Sequence, residues 1–316
     1  FLDKMLNAIN NSPVKKVMKG TSESMKGSGP GQLNLMLSIP LKDAEAIRYT
    51  GSYFFEGSSM ENQDLDLPLL SDIKGKLIFD NNGVSLNNGT AILSDQPLSL
   101  AVKNKDKATV MDFNGTFDSK FIASSFGNEW SNNIKGQTEW QGRLTLSDKE
   151  SDLILSSNLI GLSINSMHDL NKEKDESIPF QLKKRTSTSS IDYIDITYGK
   201  IIMARFIREN DNKIKRGFIG INTIPSMPDN GIIINASLDS LDTESIKFLF
   251  DHHSLDGNTN KNIQQKPAFE KVILNVDELM IKGNKLTKAS INYSPTIDGS
   301  NIRIDSREVS GDISWF

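Results

Sequence analysis

Few side chains in this chain suit acid–base, nucleophilic or metal chemistry. The histidines are His168, His252 and His253. His252-His253 stands beside Asp251 and Asp256, donors of a type that can hold a divalent cation. Adjacent residues on a helix point about 100° apart, so the pair chelates one ion poorly and reads as a solvated helix end. Asp64 and Asp66 flank Leu65 and share one face of a strand. Paired carboxylates serve glycosidic chemistry, but nothing else converges on these two, and a wet strand edge accounts for them. The glycines from Gly27 to Gly31 precede a strand, whereas a phosphate cradle opens a helix and usually carries a Lys. No Gly-x-Ser-x-Gly elbow occurs. Zero cysteines exclude disulfides, thiolate zinc sites and thiol nucleophiles. These residues predict no enzyme, no metal and no cofactor.

Charge excludes another class. The 36 Lys+Arg are scattered among 40 Asp+Glu, for a net charge of -4, so no basic field gathers nucleic acid. Trp130, Trp140 and Trp315 sit among Asn, Gln and Ser and read as packing residues rather than base-stacking platforms. No run of 18 apolar residues spans a membrane. The chain opens on Phe1 rather than Met, which reads as a piece of a longer protein.

The elements that remain are strands. Leu33, Leu35, Leu37, Ile39 and Leu41 alternate with mostly polar residues, giving one apolar and one wet face. The same period recurs at Leu98–Leu100–Val102, Leu144–Leu146, Ile178–Phe180–Leu182, Ile194–Ile196–Tyr198, Val272–Leu274–Val276, Ile302–Ile304 and Ile313–Trp315. Asn82-Gly83, Asn88-Gly89, Asn114-Gly115, Asp229-Asn230-Gly231, Asp256-Gly257, Gly283-Asn284 and Asp298-Gly299 read as turns between them. The prediction is an all-β, antiparallel architecture with a few short helices. One helix runs through Leu2, Met5, Leu6 and Ile9 and stops by Pro13. A second is capped by Asp118-Ser119, and a third by Asp242 or Thr243. Asn171–Ser177 reads as a charged loop, Lys183–Ser190 as a basic turn, and Asp251–Gln265 as a polar connector. The expected organisation is a helix and connector (1–28), a first β-unit (29–140), a second (141–240), and a helix, polar loop and final strands (241–316). Alternation alone leaves open whether the apolar faces close as a sandwich, a barrel or a groove.

The order of several stretches adds a resemblance. Gly29-Pro-Gly-Gln-Leu-Asn-Leu-Met-Leu-Ser-Ile-Pro-Leu41 is similar to an opening segment of YhdP-type proteins. Leu67-Pro-Leu-Leu-Ser-Asp-Ile-Lys-Gly-Lys-Leu-Ile-Phe79 and Leu153-Ile-Leu-Ser-Ser-Asn-Leu-Ile-Gly-Leu162 resemble their next strands. Arg216–Ile221, Pro228–Gly231, Leu238–Asp242 and Ser306–Trp315 follow in the same order. Ser166–Lys172 and Ile246–Phe248 depart from that pattern. The chain thus resembles a C-terminal-type segment of the YhdP family, among the AsmA-like and TamB-like bridge lipid-transfer proteins. The resemblance implies an elongated, strongly curved antiparallel sheet with an apolar β-groove, in a periplasmic body anchored to the inner membrane outside this segment. It implies non-enzymatic phospholipid transport between inner and outer membrane and support of the outer-membrane permeability barrier. Its partners would be phospholipid acyl chains and, through the full-length protein, the two membranes. The groove lining is expected at Leu33, Leu35, Leu37, Ile39, Leu98, Leu100, Leu144, Leu146, Phe180, Leu182, Leu274 and Val276. A β-sandwich interaction or scaffold module of the envelope is the alternative.

Overall fold

The computed structural model describes residues 2–11, 24–38, 48–62, 67–105, 108–121, 133–147, 150–166, 168–187, 191–209, 213–242, 269–296 and 299–315. They are predominantly β, as the alternation predicts, with mostly antiparallel pairing. The chain divides into two units, Phe1–Phe117 with Thr138–Ser156, and Asp118–Gln137 with Ser157–Phe316.

The first unit begins with helix α1 (Leu2–Asn10), followed by β1 (Met25–Ser28), β2 (Gly31–Ser38), β3 (Arg48–Asn62) and β4 (Leu67–Asp80). It continues with β5 (Gly83–Leu93), β6 (Gln96–Lys105), β7 (Ala108–Asp118), most of β8 (Ile134–Leu146) and β9 (Glu150–Ser157). β2 to β7 form an antiparallel meander, and β1 pairs with β3 beyond the end of β2. β3 carries register shifts after Glu56, Ser58 and Met60, and Gly57 takes a positive φ of 100° there. The tight turn between β4 and β5 is Asn81-Asn82, one residue before the expected Asn82-Gly83, and Gly83 pairs with Asp80 to open β5.

Two expected turns are strand interior instead. Asn88-Gly89 lies within β5, where the ladder to β6 shifts register between Leu86 and Gly89. Asn88 takes the left-handed conformation, with φ 56°, so the turn chemistry serves a bulge. Asn114-Gly115 lies within β7, where the missing side chain admits the Trp140 indole. A Cβ on Gly115 would come 3.0 Å from Trp140 Nε1. Trp140 stacks on Phe117 with ring centroids 4.5 Å apart.

The second unit holds β10 (Leu162–Ile164), β11 (Phe180–Ser187), β12 (Asp192–Tyr198), β13 (Ile202–Arg208) and β14 (Ile214–Ile221). It ends with β15 (Gly231–Asp242), β16 (Phe269–Ile281), β17 (Asn284–Thr296), β18 (Gly299–Asp305) and β19 (Ser310–Trp315). Two pairs depart from the antiparallel expectation: β14–β15 and β15–β16 are parallel. Asp229-Asn230-Gly231 is therefore not a hairpin turn. Residues 222–230 return along β14, and at about 3.3 Å per residue a run of that length covers the strand. Lys183–Ser187 belongs to β11 rather than to a turn: Lys183 to Thr186 continue the ladder to β12, and Lys184 and Thr186 both reach Asp192 on that strand. The expected cap at Asp118 forms: Phe121 N–H donates to Asp118 Oδ1 at 2.8 Å. The helix expected after Asp242 lies outside the described residues.

Candidate functional site

Residues directly opposite one another in a β-ladder share a face. Following those partners from strand to strand shows where the apolar faces meet. In the second unit, Leu182 faces Ile196, Ile196 faces Ala204, Ala204 faces Ile219 and Ile219 faces Ile234. The row continues through Val272, Tyr293, Ile302 and Ile313. It crosses β11 to β19 with no charged residue. The adjacent rung runs Phe180, Tyr198, Ile202, Ile221, Ala236, Leu274, Ile291 and Ile304. Its middle is buried, with Leu274 and Ala236 both 1% exposed, whereas Ile313 at the end of the first row is 51% exposed. Leu170 from a short 3-10 turn packs on the same cluster.

The apolar rungs of this unit end in charge. On the same face of β11 to β13, Thr186 faces Asp192 and Asp192 faces Arg208. Asp192 is buried and accepts from Thr186 Oγ1 at 2.6 Å and from Arg208 Nε at 2.7 Å, with Lys184 Nζ at 3.6 Å. Two cations, Arg208 and Lys184, thus meet at one buried carboxylate. The reading of Lys183–Ser190 as a turn missed it. The opposite face of the unit is wet, with exposed pairs such as Lys288–Asp277 at 2.7 Å.

Sequence reasoning also missed Lys172, which lies within the stretch expected to be a charged loop. It is 2% exposed, and its ammonium donates to the carbonyls of Leu162 and Glu173, each at 2.8 Å. Burial lowers its pKa, against the raising effect of Glu176, Asp175 and Glu173. Its backbone bridges Ile164, so the residue clamps β10.

The first unit repeats the pattern. Leu33 faces Tyr53, Tyr53 faces Leu77, Leu77 faces Leu86, Leu86 faces Val102 and Val102 faces Met111. One rung along, Leu35 faces Gly51, Gly51 faces Phe79 and Phe79 faces Val84. α1 lies on this face. Leu2, Met5 and Leu6 are buried, and Ile9 packs against Tyr49 and Phe79. Helix and sheet enclose a cavity of about 100 Å³ bounded by Met5, Leu6, Phe79, Leu86, Val102 and Phe113, among others. Tyr49 also borders it. Its side chain is 5% exposed and its hydroxyl has no hydrogen-bond partner among the described residues. Burial and the Asp80 carboxylate raise its pKa, so the phenol stays protonated at neutral pH.

The expected lining residues are placed as follows. Leu33, Leu35 and Leu37 are 41%, 45% and 51% exposed, and they share the face that carries the cavity. Leu100 borders the cavity, and Leu98 on the same side of β6 is buried. Leu144 and Leu146 are buried on β8. Phe180 with Leu274, and Leu182 separately, lie in the two second-unit rows, and Val276 is buried beside Leu274. Ile39 lies outside the described residues, as do Asp64, Asp66, His252 and His253. His168 sits in the short 3-10 turn His168–Leu170. Among the described residues, no group of three or more His, Asp or Glu is placed to hold a metal ion, and no helix is long and apolar enough to cross a membrane.

No curated protein and no solved structure matches the chain. A family model described as "YhdP protein" matches residues 2–316. That span covers both apolar faces, the cavity under α1 and every expected lining residue, so the chain belongs to the YhdP protein family.

Proposed function

We propose that the chain conducts phospholipid acyl chains along the apolar rows of its sheets, without catalysis. In this reading it is a periplasmic part of an inner-membrane-anchored protein that moves phospholipid between the inner and outer membranes and supports the outer-membrane barrier. The observation that carries the reading is the uncharged row from Leu182 to Ile313 across nine consecutive strands. Water penalises each exposed methylene by about 0.8 kcal/mol, so a two-chain lipid faces on the order of 20 kcal/mol. A one-sided apolar surface lowers that barrier by burial alone. The exposed Leu33, Leu35 and Leu37 offer such a surface in the first unit. Membership of the YhdP family suggests lipid transport or envelope maintenance, and the family is generally a non-enzymatic, bridge-like transport family.

The test is mass spectrometry of lipids extracted from the natively purified chain. Phospholipid in near-stoichiometric amount is expected. A lipid-free chain that instead retains envelope proteins would replace this reading with the scaffold one.

A further inference from the structure

Part of the apolar face of the first unit is already occupied, and its occupant belongs to the chain. The stripe Leu2, Met5, Leu6 and Ile9 covers about 10 Å of the face at 1.5 Å per residue. It presents aliphatic and thioether groups, the chemistry of an alkyl chain. Beneath it a cavity of about 100 Å³ with an apolar lining remains. Cavities of this size and lining exclude water and take small apolar guests, but they hold only a few carbons.

Two buried hydroxyls on this face, those of Tyr49 and Tyr53, have no hydrogen-bond partner among the described residues, and of the two Tyr49 borders the cavity. A buried donor left unpaired is unfavourable, and native structures rarely tolerate one without a reason. α1 comes close to the sheet at Gly27 on β1. A Cβ there would lie 2.6 Å from Leu2 Cδ2, 2.7 Å from Leu2 Cγ and 3.1 Å from Leu6 Cδ1. The helix can nestle at that point because Gly27 has no side chain.

We propose that the space between α1 and strands β3 to β7 is an acyl-chain site, that α1 fills it in the ligand-free chain, and that a single alkyl chain enters by displacing α1. The Tyr49 hydroxyl then donates to a carboxylate or ester oxygen at the polar end of the chain. The proposal rests on the lipid-conducting reading and adds to it a defined site, a polar contact and an internal competitor.

The absence of cysteine makes a lock straightforward. Leu2 Cβ is one bond from Leu2 Cγ, so Leu2→Cys with Gly27→Cys places the two Cβ atoms within disulfide reach. The probe is a fatty acid bearing a photoreactive diazirine, with labelled residues mapped by mass spectrometry. In wild type and in the reduced double variant, Phe79 and Leu86 are labelled. Oxidation lowers that labelling at least about tenfold, the population shift of a helix held in one state, and leaves second-unit labelling unchanged. Tyr49→Phe weakens labelling of Phe79 about fivefold, the effect of one lost hydrogen bond. If the double variant does not fold, Gly27→Val provides the converse test: crowding Leu2 loosens α1 and raises the labelling. Labelling of Phe79 and Leu86 that ignores both the lock and Gly27→Val overturns the proposal, and α1 is then a permanent core helix. Labelling of the second-unit rows without Phe79 or Leu86 also overturns it but leaves the proposed function standing. No labelling anywhere in wild type removes both.

Discussion

Leu33 and Tyr53 stand directly opposite each other in the β2–β3 ladder, yet Leu33 is 41% exposed and Tyr53 is 1% exposed. The two share a face, so that face passes from open to covered within one strand spacing. Gly51, opposite Leu35, shows how the cover is made. A Cβ on Gly51 would come 2.6 Å from Phe79 Cζ, so the missing side chain lets the Phe79 ring lie across β3. The covered part holds α1 and the cavity, and the open part holds the leucines of β2.

The contrast predicts two different costs for one substitution. Leu37→Asp, at a 51% exposed position, should cost less than about 1 kcal/mol in urea melting. Leu274→Asp, at a 1% exposed position, should cost more than about 3 kcal/mol, because an unpaired charge is buried. Equal costs would show that the β2 face is covered in solution.

Tyr198 provides a prediction at alkaline pH. Burial, then the Glu176 charge, pushes its phenol up to about 12, and its hydroxyl has no hydrogen-bond partner among the described residues. The folded chain therefore keeps this proton after the unfolded chain releases it. The stabilisation is complete below about pH 10 and is lost as pH rises through 12, a total of roughly 2–3 kcal/mol. Tyr198→Phe should match or exceed wild-type stability at pH 7 and should lose less stability between pH 10 and 12. Parallel alkaline melting curves for the two proteins would contradict this.

On the wet face of the first unit, Asp112 accepts from Arg143 Nε at 2.6 Å and pairs with Lys103 at 3.2 Å. These cations, Arg143 foremost, hold its carboxyl below the usual carboxylate range. A depressed carboxylate contributes stability above its unfolded pKa of about 3.9 and loses it as pH falls through the folded value. Arg143 is well exposed, so the contribution is small, about 0.5–1 kcal/mol. Asp112→Asn should be weaker than wild type by that amount at pH 7 and indistinguishable from it near pH 2. Chemical melts at the two pH values check the sign.

Gly136 and Gly161 hold β8 against β10. Both take positive φ, 97° and 96°. A Cβ on Gly136 would meet Gly161 O at 2.1 Å, and one on Gly161 would meet Gln137 O at 2.2 Å. Gly136→Ala should therefore cost about 2 kcal/mol or more, from backbone strain and a clash that no side-chain rotation relieves. A neutral result in thermal melting would show that β10 is not docked as described.

Within single strands, the sequence by itself was sufficient. The period of two in Leu33–Leu35–Leu37, Phe180–Leu182 and Val272–Leu274–Val276 assigns each set to one face, and those sets do lie on shared faces. The apolar stripe of α1 was legible for the same reason: its period is a local property of the backbone. Family membership was also carried by the order of short stretches along the chain.

The tertiary structure alone decided which faces meet. Leu182 and Ile313 belong to one row because eight ladders fix eight registers, and register depends on pairings remote in sequence. The parallel β14–β15–β16 arrangement was hidden because Asp229-Asn230-Gly231 has turn chemistry whichever way the next strand runs. Asn88-Gly89 and Asn114-Gly115 misled for a related reason. Glycine serves a tight turn, a bulge or a close approach equally well, and only the neighbour, Leu100 or Trp140, distinguishes them. The cavity under α1, the Tyr49 hydroxyl with no partner among the described residues, and the cluster of Lys184 and Arg208 on the buried Asp192 belong to the same class. Each depends on side chains brought together by strand pairing and helix docking, which no local period encodes.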